Sequence, residues 1–292
     1  MSKFLWTQRS DFGPGQRTSH AMTFDSQRGH TVLFGGNSGD AVLGDTWEWD
    51  GSFWTQMDNS GPGPRTEHAM VYDSVRQVSL LFGGRGPADP ADPADSPDLG
   101  DTWQWDGQDW TQLADSGPTP RAQHGMAFDS ARNRTVLFGG LARNQPDLVD
   151  TWEFDGQEWT QQADTGPPAA RHHPMAFDSA GARVLLFDGR SVTTWSWNGA
   201  SWVQIGAFGP SSRDAAAMTA AAGSIVLFGG RGFREVGDSW RFDGTHWTQV
   251  QDIGPRPRSS HALTFDSTRG AIVLFGGLNG NGTLGDTWEH NT

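Results

Sequence analysis

The chain is 292 residues long and carries 21 Lys and Arg against 34 Asp and Glu, a formal charge of −13. So large a negative excess repels phosphate backbones and argues against nucleic acid as a partner. With no Cys, disulfides, thiol nucleophiles and thiolate metal sites are excluded, and the packing must come from 15 Trp and 17 Phe.

Taken in chain order, Leu5-Trp6-Thr7-Gln8 opens with a short alternating segment. After Gly13-Pro14 and Arg17, His20-Ala21-Met22-Thr23-Phe24 alternates with period two and predicts a strand. Thr31-Val32-Leu33-Phe34 is a buried apolar run, Thr46-Trp47-Glu48-Trp49 alternates again, and Phe53-Trp54-Thr55-Gln56 closes the set. Asp25-Ser26, Gly35-Gly36, Asp50-Gly51 and Gly61-Pro62 separate these runs with turn chemistry. The whole phrase recurs six times, marked by Leu-Phe-Gly-Gly at 33, 81, 137, 227 and 274 and by Leu186-Phe187-Asp188-Gly189. A repeat of about 50 residues indicates a ring or array of like units, because one four-stranded sheet with two apolar faces cannot bury itself. The units are expected at 17–57, 65–113, 121–162, 171–205, 213–250 and 258–292, within one domain. The last unit lacks its fourth strand, and residues 3–8 match it, so the N-terminus is predicted to complete that sheet and close the ring.

These residues resemble the Kelch repeat over essentially the whole chain. The resemblance implies an all-β, six-bladed propeller of four-stranded antiparallel blades, with the strand beginning His20-Ala21 innermost and the loops before it sharing a face with those after Gly-Gly. It implies little about function, since such propellers include adaptors, binding modules and enzymes. Galactose-oxidase-like copper chemistry needs a Tyr crosslinked to Cys, and this chain has only Tyr72 and no Cys. The Glu-x-x-x-Asp-x-x-x-His iron pattern of specifier-type relatives is not found. No cofactor or metal is therefore predicted. Adaptor members carry a dimerisation domain before the propeller; here the propeller is expected from residue 3, and a monomer is predicted.

Six copies allow an internal comparison. Four residues after each Gly-Pro glycine stand Arg17, Arg65, Arg121, Ala170, Arg213 and Arg258. The Asp-Thr-Trp aspartate is Asp45, Asp101, Asp150, Thr193, Asp238 and Asp286. Both are lost in the fourth unit alone, which predicts an Arg–carboxylate bridge within each of the other blades. His20, His68, His124, His173 and His261 recur with Ala216 as the exception. Five imidazoles suggest a metal ring, but recurrence marks them as scaffold, each expected to hydrogen-bond a neighbouring backbone. Gly-Gly, with no helix after it, reads as a turn.

Where the copies depart from one another, specialisation is expected. Arg171, His172, Arg190, Asp214, Arg231, Phe233 and Arg234 cluster on the loops of the fourth and fifth units. Guanidinium groups fork onto carboxylates and phosphates, so the predicted function is binding of a small anionic molecule or acidic peptide end at the channel mouth. The alternatives are a lyase-, isomerase- or cyclase-type enzyme, with His172 as base and Arg171 or Arg231 as electrostatic stabiliser, and a protein-interaction scaffold. Solvated loop charges neutralised by nearby Asp and Glu are the plainer explanation of the cluster. The second unit carries an insertion, 85–98, with a repeated Pro-Ala-Asp, expected to be an extended, unstructured anionic loop; Asp89, Asp92 and Asp95 lack a Ca²⁺-loop pattern. No run of about 18 apolar residues occurs and the N-terminus has no long apolar segment, so neither a membrane span nor export is expected, and the predicted location is cytoplasmic.

Overall fold

The computed structural model describes residues 4–10, 12–57, 60–91, 95–168, 171–206, 208–250 and 252–292. They form six antiparallel sheets and no helix. In the first sheet, Ala21–Asp25, His30–Asn37, Val42–Trp49 and Trp54–Gln56 follow one another from the axis outward. The first strands of successive sheets, Ala21–Asp25, Ala69–Asp73, Gly125–Asp129, Met175–Asp178, Ala217–Ala221 and Ala262–Asp266, touch in a closed cycle around that axis. The architecture is a six-bladed β-propeller.

Packing between the blades holds the ring. Six apolar clusters each join two consecutive blades, as where Ala21, Val32 and Phe34 meet Met70, Leu81, Trp105 and Trp110. The last blade is completed as predicted: Phe4–Ser10 pairs antiparallel with Gly282–Asn291, with Trp6 opposite His290 and Gln8 opposite Trp288. Trp6 is buried against Phe228 of blade five, ring centroids 5.5 Å apart. This blade also gains a short fifth strand, Asp252–Ile253, parallel to Phe4 and Leu5.

The expected Arg–Asp bridges are present in five blades. Arg17, Arg65, Arg121, Arg213 and Arg258 meet Asp45, Asp101, Asp150, Asp238 and Asp286 at 2.6–2.7 Å. The arginines are at most 3% exposed, so every donor needs a partner. Arg121 finds four: both Asp150 oxygens at 2.6 and 2.7 Å, the Gly139 carbonyl at 3.0 Å and the Thr119 carbonyl at 2.9 Å. Each bridge ties the loop before a blade to that blade's third strand, Asp238 standing just before its strand and the other aspartates within theirs. In blade four Thr193 replaces the Asp and still accepts from the Trp195 indole at 3.0 Å; Ala170, where the Arg would stand, lies outside the described residues.

A second recurring tie runs between blades. The indoles of Trp49, Trp105 and Trp197 donate to Glu289, Glu48 and Glu153 of the preceding blade at 3.0, 2.8 and 2.8 Å. Where the preceding blade has Gln104, Ser196 or Arg241 at the glutamate position, the residue at the Trp position of the next blade is Phe154, Phe242 or His290 instead. A buried indole N–H without an acceptor is costly, and Trp occurs only where a carboxylate is supplied.

The recurring His20, His68, His124 and His261 are buried, and each ring is turned to a neighbouring backbone as expected, that of Phe275, Phe34, Phe82 and Phe228 in the preceding blade. They pack edge-on against Phe275, Phe34, Phe82 and Phe228 of the preceding blade at 5.4–5.6 Å. Burial, reinforced by the adjacent arginines, pushes their pKa values down, to about 3 for His124 and His261. Their role is scaffold: a neutral ring packed between blades against the neighbouring backbone. One expectation is corrected, because the insertion is not free at its stems: Gly86 N–H donates to the Pro97 carbonyl at 2.9 Å, Asp89 N–H to the Asp95 carbonyl at 3.0 Å, and Arg143 of blade three donates its backbone N–H to Asp98 at 2.6 Å and pairs its guanidinium with Asp95. Asp92 lies outside the described residues.

Candidate functional site

At the mouth of the channel the residue before each innermost strand's histidine position turns left-handed. Ser19, Glu67, Gln123, His172, Ala215 and Ser260 have φ between 52° and 60°. Five backbone hydrogen bonds of 2.9 Å link them in a necklace, His172 N–H to Gln123, Gln123 to Glu67, Glu67 to Ser19, Ser19 to Ser260, and Ser260 to Ala215. The sixth link, Ala215 to His172, is absent among the described residues. Since this conformation recurs in every blade, it belongs to the architecture and is not strain stored at His172. The Gly-Gly turns complete the rim: at Gly36, φ is +101° and a Cβ would stand 2.8 Å from both the Thr18 carbonyl and His20 Cβ, so the loops can meet only there. Bridges Thr18 to Asn37, Thr66 to Arg85, Ala122 to Leu141, Asp214 to Arg231 and Ser259 to Leu278 put both loop sets on one face, as expected.

The concavity inside this rim has a volume of about 140 Å³; Glu67, Gln123, His172, Ser19 and Ser260 border it, and the packed histidines form its floor. Gln123 Nε2 donates to Glu67 Oε1 at 2.8 Å, and Arg85 reaches Glu67 Oε2 at 3.6 Å. Burial pushes the His172 pKa below the ordinary imidazole value; the charges of Glu67 and Asp214 oppose that shift and Arg171 reinforces it. Burial thus favours the neutral form of the His172 ring.

The predicted residues fall into two groups around the mouth. Arg171 Nε donates to Asp147 Oδ1 at 2.8 Å, and Arg190 stands 4.0 Å from the other Asp147 oxygen, so two cations share one carboxylate. Arg231 pairs its backbone with Asp214 and lies 4.0 Å from Glu235. Phe233 is fully exposed, and the Arg234 carbonyl accepts from Gly232 N–H at 3.1 Å. Partial neutralisation by acidic neighbours, weighed as the plainer explanation, is thus real. Arg190 and Arg231 nevertheless remain 57% and 63% exposed, with their carboxylates only at the limit of ion pairing. Glu67 and Gln123 were not among the expected site residues; their departure from Ser at the necklace position is the signal that marks them.

Among the described residues no group of three or more His, Asp or Glu is placed to hold a metal ion, and no helix is long and apolar enough to cross a membrane. No protein-family model matches the chain, nor does any curated protein. Fold and mouth together define the class: a six-bladed, all-β propeller with a polar concavity at one end of its axis. Among solved structures the chain is similar to one titled "Structure of YjhT", with a TM-score of 0.74 over 94% of this chain and 95% of that one. At 13% identity the likeness shows a shared fold and carries no ligand or activity across.

Proposed function

We propose that this chain is a Kelch-type propeller working as a cytoplasmic monomer, and that its mouth binds a small anionic, carboxylate-bearing molecule or acidic peptide end. The internal repeat of Leu-Phe-Gly-Gly and Asp-Thr-Trp supports the first part. The observation that carries the second is the pair Arg171 and Arg190 sharing the single carboxylate of Asp147 beside the mouth, with exposed Arg231 across the same loops. A guanidinium whose partner is 4.0 Å away keeps donors free for a forked pair with an incoming carboxylate. In a protein of formal charge −13, such a spot is selective because the surrounding surface repels anions that do not dock.

The same geometry supports a second reading, an enzyme of lyase, isomerase or cyclase type. Neutral His172 would take a proton from a substrate whose carboxylate is held by Arg171. It is favoured by the lowered pKa of His172 at the edge of the concavity.

A thermal-shift screen of small carboxylates, followed by titration of the strongest hit, tests the binding function. Arg171→Ala and Arg231→Ala are each expected to weaken it about tenfold, about 1.4 kcal/mol. Unchanged affinity in both variants removes the site.

A further inference from the structure

The end of the propeller remote from the mouth carries the turns from each innermost strand to the next. There five copies place an aromatic residue, Phe24, Tyr72, Phe128, Phe177 and Phe265, followed by Asp25, Asp73, Asp129, Asp178 and Asp266. Blade five has Ala220 and Ala221 instead. Its turn is also shorter: Ala221 pairs with Ser224 across Ala222-Gly223, whereas Asp25 pairs with His30. Ala222 and Gly223 have φ of +47° and +76°, as a two-residue hairpin requires. One aromatic side chain is thereby missing from a collar of six. What remains is a pocket of about 320 Å³, walled by Phe177, Asp178 and Phe265 and floored by Ala220, Ala221 and Ile225.

A second, independent departure lies at its edge. Glu48, Glu153 and Glu289 hold Arg28, Arg132 and Arg269 in ion pairs at 2.6 Å. Blade five has Arg241 at that same register position. Arg241 Nε donates to Ser224 Oγ at 2.9 Å, Ser224 lines the pocket, and among the described residues no carboxylate lies within ion-pairing distance of the exposed guanidinium. The repeat therefore removes a ring and, beside the gap, turns a carboxylate into an unpaired cation.

We propose that this pocket is a binding site for a small aromatic carboxylate. Its ring takes the space that the sister blades fill with Phe or Tyr, between Phe177 and Phe265, and its carboxylate meets the Arg241 fork. The site is separate from the mouth, at the opposite end of the channel.

Benzoate and its neutral analogue benzamide, titrated into protein labelled at alanine methyls, test it. For benzoate, the methyl resonances of Ala220, Ala221 and Ala222 are expected to shift saturably, with a Kd of about 1 mM for so small a ligand. Benzamide is expected to bind roughly fivefold more weakly, and Arg241→Gln to equalise the two. Ala220→Phe restores the sister residue and is expected to weaken benzoate binding by at least about tenfold while leaving Tm unchanged or higher. Absence of those methyl shifts, or shifts confined to Ala215 and Ala216 at the mouth, overturns the site in the unmutated protein whatever the variants do. Equal affinity for benzoate and benzamide overturns the role of Arg241.

Discussion

Arg121 and Asp150 show how much one side chain holds at this fold's rim. The guanidinium is 0% exposed and each of its three nitrogens is hydrogen-bonded, with Asp150 its one carboxylate partner, so Asp150→Asn leaves a buried charge unpaired. That variant is expected to lose about 3–5 kcal/mol in urea denaturation, whereas Arg121→Met with Asp150→Leu loses less than Asp150→Asn alone; a loss under about 1 kcal/mol for the single variant would contradict the burial argument. The buried histidines add a pH dependence. Their folded pKa values lie below the unfolded value of about 6.5, so the stability gained by keeping them neutral is complete above that pH. It drains away as pH falls through the window toward the folded values, about 3 for His124 and His261. Burial alone would raise Asp45, Asp101, Asp150, Asp238 and Asp286, but the arginine bonds outweigh it and hold them low. Their stabilisation is present above the ordinary carboxylate range and lost only below it, so the acid loss from the histidines starts first. Urea titrations at pH 7 and pH 5 are expected to show His124→Gln losing about 2 kcal/mol less over that interval than the parent protein; parallel losses would refute the assignment. The Arg–Asp bridge was legible in the sequence because both partners lie in one repeat and vanish together at Ala170 and Thr193. The Trp–Glu tie was not, because its partners sit one repeat apart and no comparison within a single unit aligns them.

Among the elements, Phe4–Ser10 does most to decide whether the ring is closed. It supplies the fourth strand of blade six, and Trp6 fills the interface with blade five beside Phe228, Leu263 and Leu274. Removal of residues 1–8 exposes the edge of Gly282–Asn291 and empties that interface, and a sharp fall in Tm by calorimetry is the expected result. An unchanged melt would show that the ring does not depend on this strand. The match between Trp6-Thr7-Gln8 and Trp54-Thr55-Gln56 made this element readable from the sequence, as period-two alternation did for the strands inside the blades. Loops were harder. That Arg171 and Arg190 converge on Asp147 depends on a turn of blade three approaching blade four, and that the insertion is fastened depends on Arg143. Irregular backbone carries no period from which such approaches can be read.

For the molecule as a whole, six-fold repetition gives a channel with two unlike ends. The mouth is polar, linked by backbone hydrogen bonds and rimmed by arginines; the far end is an aromatic collar broken at Ala220. In both places the informative residues are those at which one copy differs from its five sisters, because a shared residue is already accounted for by holding the ring together. Joining the two ends of the chain in one sheet also sets a timetable. While the ribosome is still making the chain, Phe4–Ser10 has no partner, and the interface it must fill does not yet exist. Every earlier blade can assemble on its predecessor, but the last seam waits until Gly282–Asn291 has left the ribosome, so the growing protein carries an open flank until that strand emerges.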